Sequence, residues 1–204
     1  MSESAVAATR QLDPCRARAS RGALRCTPGL LLGPYYPAKP PDDADERLWC
    51  AATVPANIRG LRVDVRVIDS QGRDIVDALV EMWQADPRGC YRHPAAARTG
   101  IASEFRGYGR ALSDSGGACS FVSVVPGSYD AEGHARAPHL HVQITAAAAR
   151  LVTQVFLPDD PLNSRDRWFA CVSHPELLTA AARHDEAQAL HVVWTAVLPA
   201  CAQS

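Results

Sequence analysis

From Ile58 the chain takes up a period of two, with Leu61, Val63, Val65 and Val67 on one side and Arg62, Asp64, Arg66 and Ile68 on the other. Side chains two apart on an extended backbone share a face, so β-branched apolar residues in this alternation commit the segment to a strand. Asp69-Ser70-Gln71-Gly72 then supplies turn chemistry, and Ala78 to Gln84 reads as a second strand, a hairpin-like start to a β core. The apolar runs at Cys119–Val125, His139–Ile144, Leu151–Leu157 and Leu190–Val197 are short and bounded by Gly, Pro or Asp clusters. The Ala/Leu/Glu-rich stretch from Pro175 to about Ala189 predicts a helix or turn-helix. The expected fold class is all-β: a sandwich of mostly antiparallel short strands, with an extended N-terminal arm and one short C-terminal helical segment.

With 204 residues, 47% of them hydrophobic, the chain can bury a core without disulfide or metal staples, and one domain is expected over residues 27–204, including an arm at 27–57. Residues 1–26 are polar, Ala/Arg-rich and without a sustained period, and they lack the apolar stretch of a secretory signal. No later stretch is apolar for long enough to span a bilayer, so a soluble cytoplasmic protein is expected, with no membrane partner. A net charge of −1 leaves no electrostatic footprint for nucleic acid. Cys15, Cys26, Cys50, Cys90, Cys119, Cys171 and Cys201 contain no C-x-x-C pair, which predicts free thiols in a reducing compartment. Between Thr27 and Pro41, glycines and prolines surround Leu30, Leu31, Leu32, Tyr35 and Tyr36, which reads as an extended arm docking on something apolar. No Gly-rich dinucleotide fingerprint follows the first strand, so neither NAD nor flavin is expected.

His139-Leu140-His141 is the most informative tripeptide. Two histidines at this spacing on a strand point the same way and can share a metal ion, or they are two polar residues on a solvent-facing side. Arg136 and Pro138 precede them, and a Pro126-Gly127-Ser128-Tyr129 turn ten residues upstream of His139 presents a tyrosine. A second tyrosine, Tyr91, follows Trp83-Gln84-Ala85-Asp86-Pro87-Arg88-Gly89-Cys90.

In order along the chain, Thr27-Pro28 with Gly33-Pro34-Tyr35, Leu79 to Ala85 with Gly89 and Tyr91, Phe105 to Arg110, Pro126 to Tyr129, Arg136 to His141 and Arg150 to Gln154 resemble the intradiol ring-cleavage dioxygenases. Within that family the protocatechuate 3,4-dioxygenase branch is the more similar, over about Thr27 to Val197. The resemblance implies one non-haem Fe(III) per chain held by Tyr91, Tyr129, His139 and His141, and no NAD, flavin or haem. Two anionic phenolates with two neutral imidazoles suit a hard trivalent cation better than they suit zinc. It implies that Tyr129 is displaced by a chelating catechol and accepts a substrate proton, and that Arg136 stabilises negative charge on the bound ring. It also places Gln154 beside the substrate, with Gly33, Pro34 and Tyr35 of the arm lining the site. The implied reaction cleaves a catechol with O2 between its hydroxylated carbons, giving a cis,cis-muconate-type diacid.

Three departures from the protocatechuate pattern bear on substrate. Asp130-Ala131 stand where Pro-Trp is usual, Phe156 stands for a common tyrosine, and Leu30, Leu31 and Leu32 replace small or polar arm residues. They predict a roomier, more apolar pocket, in which an uncharged or bulkier catechol competes with protocatechuate. Arm and ligands share one chain, which predicts a homo-oligomer or a self-sufficient subunit; the different reading is a non-catalytic subunit or binding module of a two-chain, hetero-oligomeric dioxygenase.

Overall fold

The computed structural model describes residues 22–96, 100–131, 133–147, 149–185 and 188–200; most of the N-terminal segment, with Cys15 and Cys201, lies outside them. The strands are β1 (Gly60–Asp69), β2 (Leu79–Gln84), β3 (Tyr108–Leu112), β4 (Ala118–Val124), β5 (Tyr129–Ala131), β6 (His134–Arg136), β7 (His139–Ala146), β8 (Ala149–Phe156), β9 (Ala181–Asp185) and β10 (Ala189–Leu198). They form two four-stranded sheets, ordered β4-β1-β10-β9 and β3-β2-β7-β8, and a small β5-β6 hairpin. Every named ladder is antiparallel except β1 with β10.

The alternation in β1 sets the packing. Leu61, Val63, Val65 and Val67 of β1 meet Val80 and Met82 of β2 and Leu140, Val142 and Ile144 of β7 in one buried cluster between the sheets. Strand β7 is buried on both faces from His139 to Ile144. Its even residues fill the core, so its odd residues, His139, His141 and Gln143, occupy the outer face of the second sheet under some other cover.

The arm supplies part of that cover. Thr27 exchanges backbone and side-chain hydrogen bonds with Val197, the Leu30 amide donates to Val152 O, and the Thr153 hydroxyl donates to Pro28 O. The Tyr36 hydroxyl reaches Glu81 at 2.8 Å. The arm read as docking on something apolar packs here against its own chain.

Two expectations are corrected. β1 and β2 do not form a hairpin: they lie in different sheets, because both edges of β1 are taken by β4 and β10, and residues 70–78 carry the chain across. The Ala/Leu-rich stretch is not one helix. Only Pro175–Leu178 makes a 3-10 turn, after which Ala180 donates to Phe156 O and Ala181–Asp185 adds to β10 as a strand. Unpaired backbone on the edge of β10 outweighs the helical preference of alanine, which cannot sustain a helix in so short a run. The α-helix that does form, α1 (Arg167–Ala170), is one turn long and capped by the Asp166 carboxylate, which accepts from Trp168 N and Phe169 N. Among the described residues no helix is long and apolar enough to cross a membrane.

Candidate metal centre

Register places the site. Trp83 of β2 pairs with Tyr108 of β3 on one side and His141 of β7 on the other, and His141 pairs with Gln154 of β8, so these four form one row across the outer face of the second sheet. His139 lies in the neighbouring row opposite Phe156.

Tyr91 and Tyr129 arrive on two turns that touch backbone to backbone. The Asp86 carboxylate accepts from Arg88 N and Cys90 N, tightening the first turn, and the Gly127 amide donates to Asp86 O at 2.9 Å. Glycine is required on both sides of the contact. A Cβ on Gly89, at φ +76°, would meet Ser128 O at 2.2 Å, and one on Gly127 would meet Pro87 O at 2.3 Å. Tyr91 therefore stands after a tight turn well beyond β2, and Tyr129 opens β5.

The structure brings Tyr91, Tyr129, His139 and His141 together. The two imidazole Nε2 atoms are 3.3 Å apart, and the Tyr129 hydroxyl lies 3.5 Å from His139 Nε2. The Tyr91 and Tyr129 rings meet edge to face at 5.5 Å, and Tyr91 and His141 at 6.0 Å. His139 Nδ1 faces Ala137 O at 2.6 Å, which assigns the proton to Nδ1 and leaves Nε2 with a free lone pair. His141 is held between two surfaces: the Trp83 indole stacks on it at 5.0 Å and 11°, and a Cβ on Gly33, at φ +77°, would come within 3.0 Å of its Cε1.

Burial lowers the pKa of both imidazoles, and the Arg136 guanidinium lowers them further; His139 is held down at about 4, and His141 feels His139 as well. Both are neutral donors at neutral pH. Burial raises Tyr91 well above the usual phenol value, with the neighbouring Tyr129 adding to it. Tyr129 is close enough to act electrostatically but not as a hydrogen-bond partner: the Tyr91 hydroxyl is buried with none, and so is His141 Nδ1. Tyr129 is raised by burial too, but there Arg136 opposes the rise. Two buried phenols, one of them orphaned, beside two neutral imidazoles whose Nε2 atoms face each other are a donor set that a highly charged cation would satisfy. Among the described residues no group of three or more His, Cys, Asp and Glu gathers elsewhere.

A sign follows for the metal-free protein. Unfolded histidine titrates near 6.5 and folded His139 near 4, so between these pH values the unfolded chain binds a proton that the folded site refuses. In chelator-treated protein His139 is therefore expected to withdraw stability as pH falls from about 6.5 to about 4, with its own contribution levelling off below. Denaturant midpoints that stay constant across this window would contradict the neutral buried pair.

Arg136 ends β6, at 5% exposure, beside this cluster. Its Nη1 lies 3.4 Å from the Tyr129 hydroxyl, Nη2 donates to Gln154 Oε1, and Nε donates to Asp166 at 2.8 Å. Gln154 is buried and spends its carbonyl on Arg136, while its amide nitrogen faces Leu31 O at 3.5 Å. Tyr35 stacks on Tyr91 at 4.4 Å, and Pro34 is exposed. A cavity of about 230 Å³ opens on the tyrosine side, lined by Tyr35, Cys90, Tyr91, Ser128, Tyr129 and Asp130 among others. The histidines, Arg136 and Gln154 are not among its lining residues. Of the three departures read as substrate determinants, only Asp130 reaches this cavity; Phe156 is fully buried against His139 and Phe169, and Leu31 faces outward. The wall is accordingly more polar than expected. Asp166 and Trp168, both in contact with Arg136, carry no motif that sequence reasoning could have used.

A family model described as dioxygenase matches residues 31–200. The protocatechuate 3,4-dioxygenase beta chain of Burkholderia cepacia is 33% identical over 144 residues, covering 67% of this chain and 61% of its own length. Catechol 1,2-dioxygenase of Acinetobacter baylyi is 26% identical over 187 residues, covering 84% of this chain and 58% of its own. The chain thus spans about three fifths of the length of these relatives. In fold it is similar to the dioxygenase domain of a dioxygenase carbohydrate-binding protein fusion from Streptomyces sp. SirexAA-E (TM-score 0.69, 24% identity, 87% of this chain and 100% of that one). It is also similar in fold to hydroxyquinol 1,2-dioxygenase from Pseudomonas putida DLL-E4 (TM-score 0.68, 24% identity, 88% of this chain and 68% of that one).

Proposed function

This chain belongs to the intradiol ring-cleavage dioxygenase family, and from that premise we propose that it is a non-haem Fe(III) enzyme that cleaves a catechol-type ring with O2 to a cis,cis-muconate-type diacid. The observation that carries the reading is the orphaned, buried Tyr91 hydroxyl beside Tyr129 and two neutral imidazoles. Tyr91, Tyr129, His139 and His141 would hold the iron. Bound there, ferric ion would supply Lewis acidity toward a chelating catechol and so activate its ring toward dioxygen.

The rest falls to the protein. Tyr129, the phenol with Arg136 at 3.4 Å, would be the group to take the substrate's proton: burial raises its proton affinity, and the guanidinium opposes that rise so that the phenolate form stays accessible. Arg136 keeps its charge at every working pH and also stabilises negative charge on the ring. Gln154 steadies Arg136 from its other side. Tyr35, stacked on Tyr91, walls the cavity from the arm, and Gly33 leaves room for the His141 ring. Asp130 in the cavity lining opposes a substrate carboxylate, which favours an uncharged catechol over protocatechuate. Residues 27–204 would act as one catalytic unit, as a homo-oligomer in the cytoplasm, where the thiols of Cys26, Cys50, Cys90, Cys119 and Cys171 stay reduced.

Iron-loaded protein is expected to show a broad visible tyrosinate-to-Fe(III) band and to take up one O2 per catechol with release of the ring-opened diacid. Protein that stays colourless and inert after iron loading would remove the proposal and leave the non-catalytic subunit or binding module.

A further inference from the structure

We infer that Asp166 is a positioning residue for this reaction: it holds the Arg136 guanidinium in the orientation that addresses Tyr129 and Gln154 together. The inference rests on the reading of the site just given. The Asp166 side chain is fully buried and that of Arg136 is 6% exposed. One carboxylate oxygen accepts from Arg136 Nε at 2.8 Å and from Ala137 N at 3.0 Å. The other accepts from Trp168 N at 3.0 Å and Phe169 N at 3.3 Å. The carboxylate thereby ties the end of β6 to the first turn of α1.

A guanidinium is planar, with its N–H bonds in a fixed fork, so fixing the direction of Nε–H and the plane fixes where Nη1 and Nη2 point. Asp166 takes Nε. The plane is fixed by the Trp168 indole, whose ring lies 4.1 Å from the guanidinium carbon. With these two constraints Nη2 meets Gln154 Oε1 and Nη1 points at the Tyr129 hydroxyl, where substrate charge would develop. Net stabilisation does not account for the pair, because the desolvation of two buried charges offsets most of their attraction. Orientation does. An Arg136 without Asp166 would keep its charge but could rotate its fork away from Tyr129.

The test compares iron-loaded wild type, Asp166→Asn, Arg136→Gln and the double variant in oxygen uptake with catechol. Asp166→Asn is expected to keep the visible band, lower kcat tenfold or more with KM changed less than threefold, and add less than twofold to the loss in Arg136→Gln. In metal-free protein labelled with 15N at arginine, the Arg136 Nε–H signal should exchange slowly in wild type and be lost in Asp166→Asn. Should Asp166→Asn fail to fold, Asp166→Glu, which keeps the charge and moves it by one methylene, is read in the same way. Wild-type turnover in the Asp166 variant, an equal fold-loss in both backgrounds, or an unchanged Nε–H signal would each overturn the inference. Wild type that takes up no oxygen with any catechol would instead overturn the ring-cleavage reading, and the Nε–H signal alone would then decide whether Asp166 positions Arg136.

Discussion

In a His141→Ala protein, iron bound per chain is expected to fall from near one to near zero, and oxygen uptake to fall by more than the roughly 100-fold that losing an outer-shell partner of a metal site costs at most. His141 is 2% exposed, its Nε2 lies 3.3 Å from that of His139, and its ring is fixed by Trp83 and Gly33. Among the described residues no group of three or more His, Cys, Asp and Glu offers an alternative site. Gln143, two residues along the same face of β7, separates a ligand from a merely buried polar residue. It is 6% exposed and hydrogen-bonded to Glu81 and Arg150. Gln143→Ala should cost stability, about 1–3 kcal/mol for stranding its buried partner, yet leave iron content and the visible band in place. Metal analysis and absorbance of the two variants decide the matter. Full iron in His141→Ala would remove it from the proposed ligand set.

What the sequence made legible follows the physics of short range. The alternation at Leu61 to Val67 and the apolar runs around Phe121, Val142 and Val155 name strands because a period of two is a local property, and these strands are present. The H-x-H spacing carried over to the structure for the same reason: two residues apart on β7, both point to the outer face. The pairing of those strands was not legible. β1 and β2 are neighbours in sequence but lie in opposite sheets, because the partners of β1 are fixed by residues as distant as Val122 and Leu190. Ala181 to Asp185 reads as helix by composition and becomes an edge strand because the edge of β10 not taken by β1 lies beside it. In the site, Tyr91, Tyr129, His139, His141, Arg136 and Gln154 stand close together. Asp166 could not be found, because its role comes from a contact with Arg136 thirty residues away and an aspartate before a short helix reads as a cap.

Trp83→Ala should show the largest loss of stability among single changes behind the site. Trp83 is 1% exposed; it stacks on His141 at 5.0 Å, meets Tyr36 edge-on at 5.0 Å, and packs in a cluster with Tyr91 and Tyr108. Cutting a buried tryptophan to alanine costs about 3–5 kcal/mol, transfer and cavity terms together. In a domain of this length that corresponds to a fall of roughly 10 °C in Tm. The same change frees the face of His141, so the visible band of whatever iron-loaded protein survives should weaken or shift. Trp83→Phe distinguishes packing from polarity. The indole Nε1–H is buried without a hydrogen-bond partner, so replacing it with a phenyl ring removes an unsatisfied donor while keeping an aromatic surface against His141. The two effects oppose each other, and Trp83→Phe should lie within about 1–2 kcal/mol of wild type with its band intact. If Trp83→Ala instead unfolds at the wild-type temperature, the ring is not supporting His141. If Trp83→Phe loses as much stability as Trp83→Ala, the indole nitrogen is meeting a partner and contributes to the fold through it.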